Sequence, residues 1–229
     1  KNEELIMMLQ LLDGVTVNDS IDYKIIEIRY LSDELKEKIK NELIVICHGE
    51  YALSSASVYH TFERTIAELV NYRLSNEQDK RVGAIGELIL NVIIRALGNF
   101  EVISPFFNLE ERNVKKGFDI IAVDSNNDIW IIESKAGELG TMLDANSKVS
   151  ERINMANRDL VGRLNRDNAQ LWLNAINSVR SSVDYTDEKK TVINILETLG
   201  NTNVSNDKNV LLGGIVFCGF NTTIELRRI

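Results

Sequence analysis

Cysteine, proline and histidine are scarce in this 229-residue chain, which holds two, one and two of them. Cys47 and Cys218 lie far apart in apolar surroundings with no metal-ligand spacing. Both read as small buried hydrophobes, and neither a disulfide framework nor a zinc site is implied. His48 and His60 form no metal-ligand pair, and His60 falls in a helical stretch as a packing or surface residue. There is no apolar run of the roughly eighteen residues that a membrane-spanning helix needs. No signal-peptide pattern is visible, so a cytoplasmic location is the expectation. A glycine-rich loop followed by Lys-Ser or Lys-Thr is missing, which excludes a P-loop motor. The serines at Ser54 to Ser57 lack the glycine elbow of a serine hydrolase. Positive charge is short as well: 26 Lys and Arg face 34 Asp and Glu, for a net charge of −8. That is the wrong sign for coating nucleic acid by bulk electrostatics, although a local basic groove is compatible with it.

What is present is globular material, 44% hydrophobic and 26% charged, in a chain long enough for a substantial core. Residues 2–12 fit a short helix ending at Gly14, and Tyr23 to Tyr30 predicts a strand. Ser32 caps a helix with Asp33 and Glu34 in its first turn. It runs into the mid-forties, where Leu43 to Cys47 is equally compatible with a strand. From Ala52 to Leu74 the positions Tyr59, Phe62, Ile66, Leu69, Val70 and Leu74 keep helical spacing and predict one long amphipathic helix. The polar break Asn76 to Lys80 marks a seam between an N-terminal, largely helical elaboration, residues 1–77, and a core, residues 78–229.

In the core, a helix from Arg81 to Leu97 turns Val82, Ile85, Ile89, Val92, Ile93 and Ala96 inward and ends at Gly98. Glu87, Asn91 and Arg95 form a polar stripe on it. Gly83 and Gly86 each cost about 1 kcal/mol against Ala, which predicts a close approach of another backbone. Phe100 to Ser104 reads as a short strand. After Gly137 a helical region from about Leu139 to Arg180, broken near Asn165 to Asn168, mixes Lys148, Arg152, Arg158, Arg163 and Arg166 with Asp144, Glu151, Asp159 and Asp167. Mixed signs predict a solvated face of salt-bridge pairs. A nucleic-acid-facing stripe that includes Arg152 and Arg158 is the alternative. Residues 181–190 and 200–209 read as polar loops. Val210 to Phe220 reads as a strand buried on both sides, with Gly213-Gly214 marking a bulge or close contact.

The chemistry concentrates between Gly117 and Gly137. Two apolar arms flank a Ser-Asn-Asn turn, which predicts a hairpin of central strands. With a loop from Asp124 to Asp128, Val123 faces Ile129, Ile121 faces Ile131 and Asp119 faces Glu133. Opposed carboxylates, with Cβ atoms roughly 5 Å apart, repel, so a positive group belongs between them. The Lys135 ammonium and a divalent cation both qualify, and oxygen ligands of this kind suit Mg²⁺ or Mn²⁺. Lys115 and Lys116, just before the hairpin, fit either phosphate contacts beside such a site or a charged loop. The plain alternative for the hairpin is a strand pair whose lysine neutralises two edge carboxylates.

An upstream Gly86-Glu87 on a helix, then Asp119, then Glu133-Ser134-Lys135 on a neighbouring strand, resembles the PD-(D/E)xK nuclease superfamily. Phe118 stands where that signature has proline. The run from Arg81 to Gly137, with GFD followed by a hairpin and ESK, resembles more specifically HamA, the nuclease-subunit family of the prokaryotic Hachiman anti-phage system. The superfamily resemblance implies an α/β (α+β) fold, with a mixed central sheet flanked by helices in a restriction-endonuclease-like αβββαβ core. It implies catalytic Glu87, Asp119, Glu133 and Lys135, with Mg²⁺ or Mn²⁺ held by Asp119, Glu133 and the Ser134 backbone. DNA would be the substrate, and the narrower resemblance implies a HamB-like helicase subunit as partner. A catalytically silent docking subunit and a stand-alone restriction or repair endonuclease are the competing functions.

Overall fold

Asp13-Gly14 turns the chain back on itself near its start. The computed structural model describes residues 7–54, 58, 60–74, 76–104, 118–141, 144–164, 169–182, 187–200, 209–219, 221–222 and 224. Strands β1, Met7–Leu12, and β2, Val15–Asp19, pair antiparallel with Leu12 opposite Val15, leaving Asp13-Gly14 as a two-residue turn. Gly14 has φ 73°, the left-handed conformation that such turns demand. Strand β3, Lys24–Ile28, joins β2 to complete a three-stranded antiparallel sheet. The helix expected over residues 2–12 is therefore a strand across its described part, stabilised by a partner that local periodicity does not reveal.

Helix α1, Asp33–His48, starts where Ser32 Oγ accepts the Leu35 N–H at 3.1 Å, and it carries Leu43 to Cys47 as helix. The single helix expected from Ala52 to Leu74 is divided. Its described pieces are α2, Tyr51–Ser54, then α3, Phe62–Glu68, which runs into a π-helical turn, Leu69–Arg73. Thr61 is the reason for a fresh start, because its hydroxyl caps the Arg64 N–H at 3.2 Å. His60 lies just before that cap instead of within a helix, its ring centroid 4.8 Å from that of His48.

Helix α4, Gln78–Leu97, ends in the left-handed Gly98 and is buried around most of its girth. One side packs Val92 and Ile93 against Val15, Leu35, Leu43, Ile46 and Leu69 of the N-terminal elements. Another packs Ile94 against Val102, Ile120, Ala122 and Ile132 of a second sheet. The close approach expected at its glycines exists at Gly86, where a Cβ would stand 2.4 Å from Ala136 Cβ; Gly83 faces open space.

The second sheet contains β4, Phe100–Val102, β5, Ile120–Asp124, β6, Ile129–Glu138, and β7, Asn209–Phe217, in that order. Strands β4, β5 and β6 are antiparallel, and β7 is parallel to β6. The face away from α4 is covered by α5, Ala145–Leu164, α6, Ala169–Ser182, and α7, Asp187–Gly200. There Ile121, Val123, Ile129 and Ile131 meet Phe118, Leu160, Trp172, Val179 and Leu196. The fold is thus mixed α+β, with a mixed sheet between helices and a small antiparallel sheet before it. Helix α7 begins inside the stretch expected to be loop.

Strand β7 is half-buried rather than buried on both sides, because it forms the edge of its sheet among the described residues. Its register against β6 is unbroken, so Gly213-Gly214 marks close contact and no bulge. A Cβ on Gly213 would meet Leu90 at 3.1 Å, and one on Gly214 would meet Ile153 at 2.8 Å. Cys218 follows the end of that strand and is exposed, contrary to expectation, while Cys47 is buried. Among the described residues no helix is long and apolar enough to cross a membrane.

Candidate functional site

Strand β6 alternates its side chains between two helices. Ser134 and Ala136 face α4, as the contacts of Gly86 with Ala136 and of Gly213 with Leu90 and Ser134 show. Glu133, Lys135 and Gly137 face α5, whose Arg163, Asp159 and Arg152 meet them in turn. The β5–β6 register puts Val123 opposite Ile129, Ile121 opposite Ile131 and Ile120 opposite Ile132. Asp119 stands at the next step, just before β5 begins. There its carboxylate replaces a strand: Oδ2 accepts the Ser134 N–H at 2.9 Å and the Ser134 hydroxyl at 3.2 Å.

Glu133 is 1% exposed, one of the most deeply buried large side chains in the molecule. Its Oε1 accepts from Lys135 Nζ at 2.8 Å and also from the Arg163 guanidinium. Its Oε2 is equally buried and has no hydrogen-bond partner. Burial pushes the Glu133 carboxyl above the usual range, the Asp119 charge adds to it, and Lys135 and Arg163 only partly oppose the rise. Lys135 also reaches Asp159 at 3.2 Å. Burial alone would lower its pKa, but Glu133, Asp119 and Asp159 outweigh burial and raise it, so the ammonium stays charged.

The structure thus brings together Asp119, Glu133, Ser134 and Lys135. Glu87 lies on α4, the helix packed against the other face of β6, with its carboxylate 3.1 Å from Arg73. Arg152 lies over Gly137, where a Cβ would come within 2.8 Å of its Nε, and pairs with Glu151 at 3.2 Å. Arg158 is exposed, and helical periodicity turns it away from Arg152. Lys115 and Lys116 lie outside the described residues.

Two members of the cluster were not singled out from the sequence, Arg163 and Asp159. They are an i,i+4 pair on α5, two and three turns beyond Arg152 and therefore on its face. A charged row at that spacing, opposite a strand carrying Glu-x-Lys, was the available signal. The salt-bridge pairs expected of the row are present, Lys148 and Arg152 each with Glu151, but its basic side chains are less solvated than expected: Lys148, Arg152 and Arg163 are 14%, 19% and 27% exposed, against 55% for Asp159. These charges are drawn inward because the sheet face opposite them carries charge as well.

Chemically the cluster is a buried carboxylate with one unsatisfied oxygen, beside a second carboxylate fixed by backbone and hydroxyl, next to a charged lysine. Among the described residues no group of three or more His, Cys, Asp and Glu converges as a metal centre. A cation here would therefore rest on two carboxylates and backbone oxygen. No curated protein and no solved structure matches the chain. The HamA family model matches residues 9–227, a span that begins in β1 and extends past β7. The chain therefore belongs to the HamA family, and through it to Hachiman anti-phage defence.

Proposed function

We propose that this protein is a metal-dependent nuclease that hydrolyses phosphodiester bonds in DNA, acting as the effector subunit beside a helicase. The observation that carries the reading is Glu133 Oε2, a buried carboxylate oxygen without a partner and close to the Asp119 charge. An apolar or purely structural role gives no reason to leave such an oxygen unpaired, because that costs about 1–3 kcal/mol or more for a charged group. Mg²⁺ or Mn²⁺ fits the donor set, since both favour carboxylate and carbonyl oxygen and retain waters. Asp119, Glu133 and the Ser134 carbonyl would hold the ion. When bound, it supplies Lewis-acid polarisation of the phosphoryl group and lowers the pKa of a water.

The chain's own residues do the remaining work. Ser134 fixes the Asp119 carboxylate through two hydrogen bonds, so no rotamer search precedes binding. Lys135 stays charged at neutral pH and directs its ammonium at developing negative charge on the phosphate or at the attacking water. Glu87, paired with Arg73 at 3.1 Å, would complete the acidic cluster from α4. The net charge of −8 and the missing motor motif support a reading in which a partner delivers the DNA.

The test is Mg²⁺-dependent DNA cleavage by the chain reconstituted with its helicase. Glu133→Gln or Lys135→Ala should reduce the rate at least about 10²-fold while circular dichroism shows an intact fold. Wild-type cleavage by either folded variant would remove the cluster from the mechanism. One observation favours a silent docking subunit instead: Arg163 and Lys135 already neutralise Glu133. Loss of defence in the same variants without any cleavage by the wild-type complex would select that reading.

A further inference from the structure

Glu133 has two cationic partners on one oxygen and none on the other. Lys135 comes from its own strand, two residues along, and is shared with Asp159. Arg163 is different in kind: it comes from the last turn of α5 and reaches across to the sheet. Its Nε also donates to the Asp159 carbonyl at 3.3 Å, and the Asp159 carboxylate, one turn earlier on the same helix face, is 55% exposed. A guanidinium leaving Glu133 therefore has a second acceptor within reach, without any movement of the helix.

We propose that Arg163 is a resident counter-cation of Glu133, which a divalent ion must displace onto Asp159, so that Arg163 sets the affinity of the site for metal. The inference rests on the nuclease reading and deepens it. A monovalent guanidinium on Oε1 and a divalent ion on Oε2 of one buried carboxylate repel across a few ångströms in a medium that screens poorly. Without the metal, the guanidinium offsets the desolvation of a carboxylate that would otherwise lack adequate compensation. The two states of the site then share one rule: Glu133 always has strong positive charge beside it, supplied either by Arg163 or by the ion. Arg163 is a positioning residue in this scheme, since it acts on the metal through Glu133.

The experiment is calorimetric titration of Mn²⁺ into the full chain as wild type, Arg163→Gln and Glu133→Gln. The expected result is a Kd about tenfold lower for Arg163→Gln, the size of one partly buried ion pair lost as a competitor, and no binding to Glu133→Gln. A merely structural Arg163 would leave the Kd unchanged or weaken it, and that result overturns the inference while leaving the nuclease reading in place. Absence of binding to every form, wild type included, overturns both. Should Arg163→Gln fail to fold, the wild-type protein decides by NMR. The Arg163 Nε–H resonance, assigned by its loss in Arg163→Lys, should move with Mg²⁺ along the binding isotherm. An unmoved resonance at saturating Mg²⁺ refutes displacement.

Discussion

Gly86 and Gly83 lie three residues apart on the same helix, and the structure gives them opposite responses to alanine. In the interior of an exposed helix Gly→Ala gains about 1 kcal/mol. At Gly83 nothing lies within 4 Å of the new methyl, so that gain should appear undiminished. At Gly86 the methyl would stand 2.4 Å from Ala136 Cβ, whereas carbon atoms pack best at about 3.5–4.0 Å. The two groups must separate by at least about 1 Å, and neither has a rotatable bond that could help. The displacement therefore falls on the α4 and β6 backbones and belongs at the upper end of the 1–3 kcal/mol usual for overpacking, roughly 3. Less the helix gain, Gly86→Ala should cost about 2 kcal/mol, or a fall in Tm of about 4–8 °C for a chain of this size. Gly83→Ala should raise Tm by about 2–4 °C. Thermal melts followed at 222 nm measure both. Adding Ala136→Gly to Gly86→Ala should recover at least about 1 kcal/mol beyond additivity, because it removes the colliding atom. A neutral or stabilising Gly86→Ala, or a double variant that is merely additive, would refute the claim that this contact seats α4 on the site strand.

Thiol titration should separate the two cysteines: Ellman's reagent should modify Cys218 rapidly and leave Cys47 unreacted until the protein unfolds, since one is exposed and the other buried. Burial holds the Cys47 thiol up at about 12. Its contribution to stability is full below the ordinary thiol range and is lost as pH rises through that window, visible as a falling Tm in alkaline melts. Glu133 has the same sign, because its folded pKa is raised: the metal-free protein should lose stability as pH rises from the ordinary carboxylate range through the folded value. The Tm gain from millimolar Mg²⁺ should accordingly be larger at pH 7 than at pH 5, and an equal gain at both would mean that the ion binds elsewhere.

The site strand pair was legible in the sequence because its determinants are local. Asp124 and Asp128 close the turn through Asp124 N–H to Asp128 O at 3.1 Å, and a symmetric loop then sets every pair beyond it. The first hairpin was just as local, for Asp13-Gly14 is a strong two-residue turn signal. Its first arm does not read as a strand because Met7 to Leu12 lacks the alternation that marks one: Met8, Leu9 and Gln10 are exposed, while Leu11 and Leu12 both pack against the core. The break at Thr61 was hidden by apolar spacing that happens to run through it. Arg163 and Asp159 were hidden for a deeper reason. Their role depends on which face of α5 meets β6, and a helix with charge on several faces does not declare that.

Strand β6 outruns β5, and that mismatch explains why chemistry sits where it does. β5 pairs with Ile129 to Ile132, whereas β7 follows β6 as far as Glu138. From Glu133 onward the β5-side edge of β6 has no backbone partner among the described residues, and polar groups on such an edge must be satisfied another way. Asp119 satisfies the Ser134 N–H. In an extended strand the N–H and C=O of one residue point the same way, so the Ser134 carbonyl opens towards the same carboxylate. A backbone carbonyl, a carboxylate fixed beside it and a second carboxylate on the preceding residue would offer the proposed hard cation three oxygen donors without any loop having to be shaped for it. The two helices meet the strand on opposite faces: α4 closes on Ser134 and Ala136 through Leu90 and Gly86, while α5 brings Asp159 and Arg163 to the other face. The ending of one strand before its neighbour thus leaves two carboxylates beside a strand edge that β5 does not cover, with Lys135 and Arg163 as the cationic partners of Glu133.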